Sequence, residues 1–311
     1  MTLRPSDVSR GAVLDAGLVT FDAEVDRLLG VKSAVARAVL VEQIVESLRR
    51  IEFVYFVRDG KIDPRRADPS SDVFDPIRAA AFRMRKGEID EAFWLVFLST
   101  HFGKHVEDGW RLTRAVYGGL GGGIWTWKRV SQNVGAFRQW LSKNEATLQA
   151  HYSFSNHRKY QSMSATSRVG TGAVIESYVK WIAPPRTHAQ LIQQLHKSVG
   201  QDPRAVFDSL YRSMGLVMGF GRLGKFDFLT MLGKLGVAPI EPGSAYLVGA
   251  TGPLQGARLL FANDPKAKIK PRDLDARLTK LDSYLNVGMQ VLEDSLCNWQ
   301  KSPKKFISFR G

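Results

Sequence analysis

The sequence predicts a nearly all-helical protein. Apolar residues recur at helical spacing through most of the chain, many such segments begin at proline or end at glycine, and almost no run alternates apolar with polar residues as a half-buried strand does. The 311 residues suffice for one large domain or two smaller ones with ample core. Forty-four Lys and Arg against 30 Asp and Glu give a formal net charge of +14, which favours a polyanionic partner, nucleic acid ahead of an anionic membrane. The single cysteine, Cys297, excludes a disulfide within the chain and a four-cysteine iron–sulfur cluster, and fits a reduced compartment. Neither a signal-like apolar run nor a membrane-length apolar stretch appears, so the expectation is a cytoplasmic protein with no membrane partner, no cofactor and no obligatory protein partner.

Taken in order, residues 1–19, with Gly11 and Gly17, read as an arm or loop, and Thr20 to Leu29 as a short helix. From Lys32 to Val57, apolar Val35, Val39, Val45, Leu48 and Ile51 predict a long amphipathic helix with Glu42, Glu46, Arg49 and Arg50 on or near its wet face. Asp59 to Pro76 is the clearest loop, because Pro64, Pro69 and Pro76 restrict themselves and their predecessors. A soft boundary there separates an N-terminal region, 1–75, from a domain at 76–311. Pro76 suits the first turn of a helix through Arg85, which Gly87 ends.

Glu88 to His105 reads as a buried helix delivering His101, Lys104 and His105 at its end. The two histidines have the spacing of one helical face, but no glutamate adjoins the first and no third ligand is visible. No metal is predicted; His101 and Lys104 are assigned instead to structure or to substrate and phosphate contact. Trp110 to Leu120 should be a helix stopped by Gly118-Gly119, and Gly121 to Gly123 a flexible turn lacking the spacing of a nucleotide loop. Trp125, Trp127, Phe137 and Trp140 read as core.

Two later stretches carry chemistry. Tyr152 to Tyr160 interleaves aromatic residues with Asn156, His157, Arg158 and Lys159, a composition suited to phosphate and base contacts, although a solvated loop pinned by tyrosines is the bland alternative. Helices are expected at Ala173 to Ile182, broken by Pro184-Pro185, then at His188 to Val199 and Pro203 to Met218, with His188 and His196 structural or solvated. Gly219 to Asp227 offers three glycines with Arg222 and Lys225, an anion clamp or a plain helix-to-helix turn. Further on, Gly249, Gly252 and Pro253 form a turn between apolar runs Ala245 to Val248 and Ala257 to Phe261, lifting backbone N–H groups toward one side. A basic loop (Lys266, Lys268, Lys270, Arg272), one long helix from Asp273 to Trp299, and a basic, aromatic tail from Lys301 to Arg310, disordered or lying on DNA, complete the chain.

The run Val248 to Phe261, followed by Pro271 to Leu281, resembles the helix-hairpin-helix of the DNA glycosylase superfamily, in which an apolar-Pro-Gly-x-Gly-x-Lys-Thr-Ala hairpin precedes a segment carrying a catalytic aspartate. Gln255-Gly256-Ala257 stands where Lys-Thr-Ala stands, and Asp275 at the aspartate, with one extra hairpin residue and glutamine in place of lysine. More widely, Thr100 to His105, Asn156 to Tyr160, Gly221 to Asp227 and Glu241 to Tyr246 resemble the α-glutamyl/putrescinyl-thymine pyrophosphorylase group, over roughly residues 75–311.

The resemblance implies two helical lobes with the active-site cleft between them, and double-stranded DNA carrying modified pyrimidines as partner. It implies phosphate contact from a hairpin at about 242–261, through Gly249, Thr251, Gly252, Gln255 and Gly256. Asp275 is the first candidate for catalysis and Asp273 the second, with helix N-capping as the competing role of Asp273. An amide at Gln255 cannot form a Schiff base, so a glycosylase of this kind is monofunctional. Two reactions stay open on a flipped 5-substituted pyrimidine. One is excision of a phage-type modified base as antiviral defence, toward which the hairpin-to-aspartate spacing leans. The other is displacement of pyrophosphate from a pyrophosphorylated hydroxymethyluracil by an amino acid or polyamine, for which His157, Arg158, Lys159, Arg222 and Lys225 supply cations. A DNA-binding protein without catalysis is the third reading.

Overall fold

The computed structural model describes residues 3–308. Among them lie fourteen α-helices and no strand, as the sequence predicts. In chain order these are α1 (Val8–Glu24), α2 (Ala34–Asp59), α3 (Pro76–Arg85), α4 (Ile89–Phe102), α5 (Arg111–Tyr117), α6 (Trp127–Gln132) and α7 (Val134–His151). There follow α8 (Thr171–Ile182), α9 (His188–Val199), α10 (Pro203–Ser213), α11 (Arg222–Lys234), α12 (Gly252–Ala262), α13 (Pro271–Leu285) and α14 (Met289–Trp299).

The chain divides into two compact units, residues 1–53 with 242–311, and residues 54–241. The Asp59–Pro76 loop is irregular, as its prolines require, yet it is tied into the second unit. Asp75 caps α3 by accepting from the N–H groups of Ile77 and Arg78, its own N–H donates to the Arg66 carbonyl, and Arg114 donates to the Ser71 carbonyl at 3.1 Å.

In the first unit the expected N-terminal arm is a helix. Leu14, Leu18 and Phe21 of α1 are buried, and Gly17 allows close approach rather than breaking the helix: a Cβ there would lie 2.9 Å from the Leu285 side chain and 3.1 Å from the Tyr284 carbonyl of α13. Within α2, Val39 and Val45 of the apolar set are buried, Leu48 and Ile51 are partly buried and Val35 is exposed; Leu40 and Ile44 join the core, and Glu42, assigned to the wet face, is buried. Arg49 pairs with Asp7, and Arg50 with Asp294 at 2.6 Å.

The single helix expected from Asp273 to Trp299 is two. Asn286 and Gly288 take positive φ (50° and 85°), and the Asp282 carboxylate accepts from the N–H groups of Val287 and Gly288, fixing the turn between α13 and α14. The tail is held as far as Ser308, with Gln43 Nε2 donating to the Ile307 carbonyl at 2.9 Å; Phe309 and Arg310 of the expected tail lie outside the described residues.

The second unit is built on α4, whose Phe93, Trp94, Phe97 and Phe102 are fully buried. Phe97 stacks on Tyr178 at 3.7 Å and on Phe220 at 4.8 Å. Trp125, Trp127 and Phe137 are core, as expected. His188 is wholly structural, its Nδ1 2.5 Å from Asp90 and its Nε2 2.8 Å from the Tyr178 hydroxyl. The helix predicted to reach Met218 stops at Ser213 and continues as a 3-10 turn, Met214–Leu216.

Candidate functional site

Three of the segments singled out in the sequence meet in the second unit. α4 ends at Gly103, where φ is +69°, so His105 leaves the helix and shares no face with His101; its Nδ1 accepts from the Asp108 N–H at 3.2 Å. Lys104 is exposed beside that stop. The missing side chain at Gly103 makes room for the next segment, since a Cβ there would lie 2.0 Å from the Ser155 hydroxyl and 3.4 Å from Cγ of Arg158. The Ser155 N–H donates to the Phe102 carbonyl, and the 3-10 turn Asn156–Arg158 follows.

In that turn Asn156 and His157 are exposed, as is Lys159 just after it, whereas Arg158 points inward, its side chain only 11% accessible. Its Nη2 donates to Asp227 Oδ2 at 3.0 Å, and its Nη1 lies close to Gly224, one turn earlier on α11. Arg222 lies over the Phe226 ring at 4.9 Å, while Lys225 lies over Tyr211 at 4.2 Å. His157, Arg158, Arg222 and Lys234 thus all act on Asp227, and His101 lies near Arg158.

His101 is fully buried nearby, its ring roughly parallel to the stacked Phe97 and Phe220 rings and 6.3 and 6.4 Å from them. Its Nε2 is 3.0 Å from the Thr171 hydroxyl, whose proton goes to the Ser162 carbonyl at 2.8 Å; Nε2 is therefore the donor and the ring is the Nε2–H tautomer. Burial, then the positive charge of Arg158, lower its pKa to about 3, so it is neutral. Desolvation depresses the Arg158 pKa and Asp227 works against that. The Asp227 side chain keeps 45% of its accessible surface, yet it lies deep enough that desolvation raises its pKa, against the pull of Arg158, Lys234, Arg222 and His157. Sequence reading passed over Asp227; its signal was an acid in a run otherwise cationic, small or apolar, from Gly219 to Leu235. A separate cavity of about 880 Å³ in the same unit, lined by Arg83, Asp90, Trp127, Lys128 and Arg186, contains none of these residues.

The other predicted residues belong to the first unit. Gly249, φ +78°, makes the turn, with the Ala250 N–H on the Leu247 carbonyl. Gly252 and Gly256 have a packing duty: a Cβ on Gly252 would lie 2.6 Å from Cys297 Sγ, and one on Gly256 2.3 Å from the Leu296 carbonyl oxygen, both on α14. Thr251 precedes α12 and accepts from the Gln255 N–H at 3.0 Å through its carbonyl. Asp275, in the second turn of α13, reaches back to the hairpin, where both carboxylate oxygens face the Leu247 N–H at 3.1 and 3.3 Å. Asp273 is not the N-cap, a position held by Lys270; it is exposed in the first turn, where a negative charge favours the helix dipole. Lys266, Lys268, Lys270 and Arg272 are all exposed on the connection from α12 to α13.

Among the described residues no three His, Cys, Asp or Glu side chains are grouped to hold a metal, and no helix is long and apolar enough to cross a membrane. Fold and site together describe an all-helical, strongly basic protein in which a largely buried arginine pairs with one carboxylate near a second arginine. The chain belongs to the alpha-glutamyl/putrescinyl thymine pyrophosphorylase family, clade 3, whose sequence model matches residues 35–311, and the family name denotes enzymes acting on a modified thymine. Comparison with curated proteins and with solved structures gives no match.

Proposed function

We propose that the protein flips a 5-substituted pyrimidine out of double-stranded DNA and hydrolyses its N-glycosidic bond. The observation that carries this reading is the carboxylate of Asp275 lying on the hairpin backbone at Leu247, which ties a phosphate-binding turn to a carboxylate. Backbone N–H groups around Gly249 and the cations from Lys266 to Arg272 hold the distorted strand. As the bond from C1′ to the base nitrogen breaks, its electron pair leaves with the base. Asp275 stabilises the positive charge developing on the sugar, and water adds its oxygen to C1′. Gln255 offers no amine, so the reaction stops at an abasic site.

A second reading has its own support. The cations about Asp227 suit a diphosphate leaving group, so an amine displacing pyrophosphate from a pyrophosphorylated hydroxymethyluracil in DNA fits the second unit. Mass spectrometry of phage DNAs bearing different hypermodified pyrimidines separates the two. Free base and abasic sites from the native protein, lost at least a hundredfold in Asp275→Asn, is the outcome expected of excision. Pyrophosphate release that needs an added amine, with no free base from any DNA, would replace it with transfer.

A further inference from the structure

Arg158 is a largely buried cation of the second unit. Its side chain is 11% accessible, its stem passes Gly103, and of its five N–H donors one of the two on Nη2 is bonded to Asp227. Such a guanidinium needs a counter-charge where it lies, because an uncompensated buried charge is costly. Asp227 supplies it from a position that is itself 45% accessible, so solvent and solute reach the carboxylate that the arginine depends on.

We propose that Asp227 holds Arg158 as an exchangeable counter-ion, so that a phosphoryl-type oxyanion binds to Arg158 together with one proton, which Asp227 takes from solvent. This rests on reading the cations of the second unit as an anion-contact set. An oxyanion on the remaining Arg158 donors stands beside the Asp227 carboxylate, and two like charges in one recess cannot both persist without a large penalty. Protonation relieves it: the neutral carboxyl keeps a hydrogen bond to Arg158 while the oxyanion takes over as counter-charge. The titratable groups that act on Asp227 are Arg158 and His157 from the 3-10 turn and Arg222 and Lys234 from its own helix, while the buried His101, which feels Arg158, is neutral. The carboxyl already leans toward its protonated form, since desolvation there outweighs the cations.

The oxyanion has two sources, a DNA phosphodiester or a phosphate group on the base, and the test has an arm for each. Sulfate, which does not titrate in the working range, is the free probe, and an unmodified DNA duplex the other. Isothermal titration of the full chain in buffers of different ionisation enthalpy, from pH 5 to 8, counts protons. It is repeated with His157→Gln so that histidine uptake is subtracted. The expected result is uptake approaching one proton and affinity falling as pH rises, on whichever arm supplies the natural group. Asp227→Asn, whose amide oxygen still accepts from Arg158, should take up none and bind about tenfold tighter at neutral pH, because a like charge is gone. Binding of both probes without uptake, or with uptake unchanged in Asp227→Asn, overturns the role of Asp227 and leaves the anion site standing. No binding of either probe, or binding equal in Arg158→Ala, overturns the anion site and with it the proposal.

Discussion

Gly256 shows how one residue answers to two demands. The hairpin pattern marks it as a position where backbone approaches phosphate, but its immediate neighbour is the Leu296 carbonyl of α14, 2.3 Å from where a Cβ would stand. A carbonyl inside a helix cannot swing aside as a side-chain tip does, so Gly256→Ala must push α12 and α14 apart. A loss of roughly 2–3 kcal/mol is expected from overpacking of this kind. Gly249→Ala meets no atom within 4 Å and is opposed by its φ of +78° alone, at about 1–2 kcal/mol. Chemical denaturation of the two variants ranks them; Gly249→Ala being the more damaging would mean that the helix contact is not what fixes the hairpin.

At the scale of elements, much of the fold was legible and the exceptions share a cause. Segments that begin at proline, such as α3 and α10, and the aromatic α4 were found because their local chemistry is unambiguous. α1 was missed because its glycines were read as breakers, when Gly17 is small to admit α13; the meaning of a glycine lies in a partner far away in sequence. The division between α13 and α14 was missed because Asn286 and Gly288 follow a pattern that stays apolar on both sides. The site was legible as segments and not as a constellation. Arg158, His157, His101 and Arg222 were all named, but Asp227, the partner of Arg158, carries no motif of its own.

The basic connection from α12 to α13 makes an element-scale prediction. If Lys266, Lys268, Lys270 and Arg272 lie on DNA phosphates, changing all four to Gln should reduce the slope of log K against log salt by about 3–4, since each phosphate contact contributes close to 0.9 for duplex DNA. An unchanged slope would remove this element from the DNA path.

For the molecule as a whole, acid is the expected weakness. His101 and His188 are both buried with pKa values lowered chiefly by desolvation, His101 to about 3. Below the ordinary histidine value near 6.5 an unfolded chain protonates these rings while the native one does not, so protons favour unfolding. Stability should fall from pH 6.5 downward, by up to about 1.4 kcal/mol per pH unit for each ring until its folded pKa is reached. His101→Gln should flatten part of that slope in urea titrations at pH 4 to 7. An equal slope in the variant would show that the ring is protonated in the native state.

The first unit is closed by sequence from both ends of the chain, residues 1–53 and 242–311, while residues 54–241 run without interruption. On the ribosome, then, the early segment emerges long before its partners. Leu18 and Phe21 of α1 wait beside Val39 and Ile44 of α2 for Leu278, Leu281 and Leu285, which are made only after the whole of residues 54–241. The contiguous unit is able to condense during that interval. The hairpin and Asp275 come into register only after residues 54–241 have been made, so the proposed catalytic carboxylate is set later than the sequence of the contiguous unit.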